Sequence, residues 1–134
     1  MKIRPRINRW TQARRNLVLE SSINSSLVQP HFVVDGQGVN DEISSMPGIF
    51  QQSVDVLIET ISKDVESGIN NHMLFPVIHS SLKDPYASAA HVDDMPLQNA
   101  VRLLREKFGD SIVILTDVCL CTATDHGHCG VIHN

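Results

Sequence analysis

Apolar residues along the chain recur with two different periods, and the two periods alternate. Val54, Leu57, Ile58, Ile61 and Val65 follow one another at three- and four-residue intervals, the spacing of a single helical face. Ser53 is placed to cap the start of that helix and Gly68 to stop it. Leu97, Val101, Leu104 and Phe108 draw a second stripe. Asp93 and Asp94 lie near its start and Lys107 in its last turn, each at the end that the helix dipole favours. Around these helices lie three short apolar runs, at 27–34, 72–78 and 112–115. The last, Ile112, Val113, Ile114 and Leu115, is almost wholly β-branched, which suits a strand buried on both faces. In the first run Pro30 has no N–H for a ladder, so it belongs at the strand's beginning or edge. Gly36 and Gly38 end that strand, and a loop is expected through Asn40, Ser44, Pro47 and Gly48. A second, polar loop runs from His79 to Asp94. Strand, helix, strand, helix, strand predicts an α/β fold with a parallel sheet, right-handed crossovers and helices outside.

The first 26 residues stand apart from this alternation. They show no convincing apolar stripe, only enough helix-formers for a turn or two between Thr11 and Leu19. The chain as a whole has 134 residues and a formal charge of -4, yet Lys2, Arg4, Arg6, Arg9, Arg14 and Arg15 all precede the first acid, Glu20. Such a split marks a separate N-terminal unit. An arm that contacts another subunit is the leading reading, against a transit peptide or a nucleic-acid arm, and a secretory signal is excluded by the lack of an apolar core. No basic stripe with interleaved aromatics suggests nucleic acid. No run reaches the roughly 20 apolar residues of a membrane span. Three cysteines within eleven positions argue against a secreted disulfide framework and for a reducing compartment, with the cytoplasm expected.

Those cysteines are the chemistry of the chain. The run from Ile112 leads into Asp117, Cys119 and Cys121, alternate residues that are expected to share one face of a strand end. Cys129 returns after a loop with Thr122, Thr124, Gly127 and Gly130. Thiolates are soft ligands that favour zinc over magnesium or calcium, and three protein ligands leave the open position of a catalytic rather than a structural zinc site. The competing reading is an inert, buried cysteine cluster, and a redox switch using the clustered thiols is a further alternative. His126 and His128 are placed to give a fourth ligand or an outer contact, or are simply solvated. Asp117 suits orienting a ligand or holding an ammonium group, or else caps the strand. Lys83, Asp84 and Tyr86 face the same mouth or form a surface turn. No phosphate-binding glycine motif and no Ser-His-Asp order is present.

The stretch DVCLCTATDHGHCG, from Asp117 to Gly130, closely resembles the metal-binding signature of the porphobilinogen synthase (5-aminolevulinate dehydratase) family. RPRINRWTQARRNLVLE, LVQPHFVVDG, SSMPGI, LFPVI and LKDPYASAA resemble family segments in the same order. The resemblance implies a (β/α)8 barrel that joins two molecules of 5-aminolevulinate into porphobilinogen, the pyrrole precursor of haem, in a homo-octamer built through N-terminal arms. It implies zinc on Cys119, Cys121 and Cys129, Asp117 beside the substrate's amino group, and His128 at a second, non-essential site, with Mg2+ as an allosteric ion. Thr122 and Ala123 stand where many zinc-binding members have Pro-Tyr, Asp125 where serine is common, and Ala87 where glycine is usual. Family chemistry also needs two lysines that form Schiff bases with the ketones, and Lys63, Lys83 and Lys107 match neither. A barrel of this type takes about 250 residues. The expectation is therefore an arm over 1–26 and a partial barrel over 27–134, the first three β/α units, with an open sheet edge and uncovered apolar faces. Such a chain is expected to be an N-terminal fragment or truncated product, inactive in isolation. A non-catalytic zinc-binding remnant or interaction subunit is the alternative.

Overall fold

Two helical stripes close over one face of a five-stranded sheet in the computed structural model, which describes residues 6–18 and 27–131. The elements are α1 (Gln12–Val18), β1 (Gln29–Val33), β2 (Asn40–Glu42), β3 (Phe50–Gln52), α2 (Val54–Glu66), β4 (Asn71–Pro76), α3 (Pro96–Phe108) and β5 (Val113–Thr116). Single 3-10 turns occupy Ile7–Arg9, Ser80–Leu82 and Ser88–His91. Within the basic N-terminal unit, α1 confirms the short helix expected there. Thr11 caps it by accepting the Arg14 N–H at 3.2 Å.

The sheet order is β2-β3-β1-β4-β5, with β1, β4 and β5 parallel neighbours. Pro30 is paired only with β4, because β3 meets β1 at Phe32 and Val33 alone, so its missing N–H costs no ladder bond. Val33, Leu74 and Ile112 present one face to Leu57 and Ile61 of α2 and to Ala100 and Leu104 of α3, and these seven side chains form the main core. Each buried aliphatic side chain contributes about 1.5–3 kcal/mol. The opposite face carries Phe32 and Phe75, half-buried and stacked with centroids 5.6 Å apart.

Two local expectations need correction. The stretch after Gly38 is not a loop: β2 and β3 form an antiparallel hairpin, so the sheet is mixed rather than wholly parallel. Its residues Asn40, Asp41 and Glu42 are exposed and poor strand formers, and only pairing with β3 holds them extended. Ser53 stands at the N-cap of α2 but caps nothing with its side chain. Its hydroxyl accepts the Val39 N–H at 2.9 Å and donates to Asp55 at 2.5 Å, joining hairpin to helix. Asp93 and Asp94 lie just before the N-cap of α3, Met95, and Lys107 in its last turn, as expected, and Asp94 sits 3.4 Å from Arg102.

Neighbouring leucines of α3 test this packing. Leu104 is fully buried and Leu103 is 44% exposed. Leu104→Ala should lower unfolding stability by about 2–5 kcal/mol, and Leu103→Ala by less than about 0.5–1 kcal/mol, as read by chemical denaturation; equal losses would contradict the register.

Candidate metal centre

β5 ends at Thr116, so strand alternation is not what assembles the cysteines. A turn does so instead. The N–H groups of Ala123 and Thr124 both donate to the Leu120 carbonyl, at 2.9 and 3.1 Å, and the chain doubles back. Thr124 is 2% exposed, and its hydroxyl spans the turn, 3.3 Å from the Cys121 carbonyl and 3.0 Å from that of His128. Gly127 supplies a φ of 74°, which a side chain would make costly, and Cys129 is thereby returned to the start of the turn. Cys119 Sγ lies 2.8 Å from Cys121 Sγ and 3.2 Å from Cys129 Sγ.

The loop after β4 braces this turn from below. Asp84 N–H donates to the Ala123 carbonyl, and Asp125 N–H to the Asp84 carbonyl, each at 3.3 Å. The Asp84 carboxylate is occupied by the N–H groups of Tyr86 and Ser88 at 2.7 and 3.2 Å, so its side chain shapes the loop. Tyr86 is 69% exposed. Beneath the turn, Ala87 and Ala123 pack together with Ile78 and Ala89. Ala87 adopts a left-handed φ of 55°, a backbone conformation that glycine takes at less cost.

All three cysteines are free thiols. Hydrogen bonding to Cys121, and then to Cys129, pushes Cys119 up to about 11, whereas donation from Cys119 holds Cys129 below its ordinary value. Cys129 is thus readier to ionise than Cys119. With zinc–sulfur bonds of about 2.3 Å, thiolates of a tetrahedral site stand roughly 3.8 Å apart, so the set needs only to open to admit the ion. Donor type and convergence both fit zinc.

Asp117 and Cys119 line one side of a cleft whose other walls include Pro76, Ile78, His91 and Gln98. His126 and His128 stack on each other, with centroids 6.2 Å apart, and neither belongs to a metal-competent group among the described residues. A second such group was not singled out from the sequence: His31, Asp64 and His72. Its signal lay in the same periodicity, because an acid three residues after Ile61 falls on the apolar stripe of α2, and each histidine interrupts an apolar strand. What the sequence lacked was any spacing motif joining them.

Comparison with known proteins points to a single family. The family profile described as delta-aminolevulinic acid dehydratase matches residues 2–134. The chain is 41% identical over 125 residues to the delta-aminolevulinic acid dehydratase of Halalkalibacterium halodurans, covering 92% of this chain and 37% of that one. To the Streptomyces coelicolor protein of the same name it is 37% identical over 130 residues, 96% of this chain and 39% of that one. A crystal structure of the Toxoplasma gondii enzyme in complex with the reaction product porphobilinogen superposes with a TM-score of 0.79 at 36% identity, over 100% of this chain and 38% of that one. The chain thus spans well under half the length of the relatives it matches.

Thiol chemistry checks the proton arrangement. In chelator-treated protein, Cys129, exposed and more readily ionised than Cys119, should alkylate with iodoacetamide before Cys119, as followed by peptide mass mapping; Cys119 reacting first would contradict it.

Proposed function

The chain belongs to the delta-aminolevulinic acid dehydratase family, and on that premise we propose that it supplies the zinc-binding part of a porphobilinogen synthase, which condenses two molecules of 5-aminolevulinate into porphobilinogen with loss of water. The observation that carries this is the convergence of Cys119, Cys121 and Cys129 beside a cleft that Asp117 shares. We read β1, β4 and β5, with α2 and α3 packed on one face, as the first three units of a (β/α)8 barrel. Reactive residues then fall where such barrels keep them, beyond the C-terminal end of a strand.

Cys119, Cys121 and Cys129 hold the ion, and zinc when bound supplies a Lewis acid with one position open to water or to a substrate oxygen or amine. Asp117 offers a carboxylate to the substrate ammonium at the rim of the same cleft. Pro76, Ile78 and Leu120 line that cleft with apolar surface, which lowers the local dielectric and strengthens such a contact. Thr124 and the Asp84 loop hold the turn in place. None of Lys63, Lys83 and Lys107 lines the cleft or matches the Schiff-base lysines of the family, so the covalent steps are assigned to the complete enzyme.

The same family reading makes the N-terminal unit an oligomerisation arm. Ile7, Trp10 and Val18 are 57%, 78% and 56% exposed, apolar surface that another copy in an octamer would cover. Among the described residues no helix is long and apolar enough to cross a membrane.

Purified chain should carry zinc by elemental analysis, and Cys119→Ala should lower the content by one ion per chain; metal content unchanged by that substitution would overturn the assignment of the cysteines. Incubated with 5-aminolevulinate, the 134-residue chain should form no porphobilinogen. Turnover would show that the covalent groups are present after all.

A further inference from the structure

His31, the third residue of β1, and His72, the second of β4, each lie two residues before a core side chain, Val33 and Leu74. Strand alternation therefore turns both imidazoles toward the helices. They are 5% and 0% exposed. Asp64, in the last turns of α2, points its carboxylate at them. Nε2 of His31 lies 3.1 Å from Nδ1 of His72, and Asp64 Oδ2 lies 3.6 Å from the former and 4.0 Å from the latter.

Buried polar atoms are costly unless paired, and this group is poorly paired from within. One proton serves the contact between the two imidazoles. Asp64 Oδ2 is buried with no hydrogen-bond partner, and no hydrogen bond of normal geometry reaches His72 Nε2. Three lone-pair atoms instead surround one point, which lies about 2.1 Å from each, the length of zinc–imidazole and zinc–carboxylate bonds.

We propose that His31, Asp64 and His72 form a second metal site, separate from the cysteines, for a divalent transition-metal ion of the zinc class. Two imidazoles and one carboxylate are a nitrogen–oxygen set that suits zinc, copper, nickel or ferrous iron better than magnesium or calcium. Burial, and for His31 also the neighbouring His72, lowers both imidazoles to about 4, so each is neutral, the ligand form, at pH 7. The Ile69 carbonyl lies near enough to the His72 ring to favour its protonation, the kind of outer contact that orients ligating histidines. Gln52, Thr60 and Phe50 line a cleft that reaches His31 and Asp64 from solvent, giving the ion an entry path and room for a water ligand. The site joins β1, β4 and α2 on the side of the sheet where the helices pack. It sits before the C-terminal ends of the strands, whereas the cysteines follow β5, so the ion, its remaining position taken by water, ties β1, β4 and α2 together.

The test uses the full chain carrying Cys119→Ala, Cys121→Ala and Cys129→Ala, titrated with Zn2+ and Co2+. It should bind one ion per chain, without a thiolate charge-transfer band for cobalt. A hundredfold excess of zinc over the dissociation constant should raise the thermal midpoint by about 5–10 °C, and the ring nitrogens of His31 and His72 should shift in NMR spectra. Asp64→Asn and His31→Gln, both close in shape to the original, should each weaken binding by more than the roughly 10–100-fold that outer contacts are worth. No ion bound by the cysteine-free chain would overturn the proposal, as would binding whose affinity and ring signals are unchanged by both substitutions.

Discussion

The burial of two helical stripes against one face of the sheet holds every other feature of the molecule in place. Val33, Leu74 and Ile112 meet Leu57, Ile61, Ala100 and Leu104 with almost no exposed surface. At about 1.5–3 kcal/mol for each large aliphatic side chain, this cluster outweighs any single polar contact elsewhere. It sets β1, β4 and β5 side by side, so that the segments leaving β4 and β5 emerge together. The cysteine turn and the Asp84 loop can brace each other only because those two strands are neighbours.

The cysteine turn itself is built from weak parts. Two N–H groups on one carbonyl, a threonine hydroxyl across the turn and a glycine with positive φ are each worth about 1 kcal/mol. A small cluster of Ile78, Ala87, Ala89 and Ala123 lies beneath. Such a turn brings three thiols together without binding them tightly to one another. This leaves their sulfurs available, and Cys129 the most exposed of them.

Polar groups are distributed unequally between the two metal-competent clusters. The thiols are exposed or half-buried, and Cys119 and Cys129 differ in proton affinity through their contacts within the cluster. The histidine–aspartate group lies under α2, where ionisation is expensive and an unmet lone pair is costly. One cluster suits exchange with solvent and substrate, the other suits retention.

The sequence alone determined the parts that depend on local order: α2 and α3 from their three- and four-residue apolar spacing, β1, β4 and β5 from their apolar runs, and the grouping of three thiols within DVCLCTATDHGHCG. These are legible because helix and strand periods are properties of neighbouring residues. Tertiary structure alone decided that Asn40 to Glu42 is a strand, since those side chains carry no strand pattern and only pairing with β3 extends them. It also decided that a turn rather than strand alternation gathers Cys119, Cys121 and Cys129, and that His31 meets His72 and Asp64. Those contacts join residues far apart in the chain, and their geometry follows from packing through space rather than from spacing along the sequence.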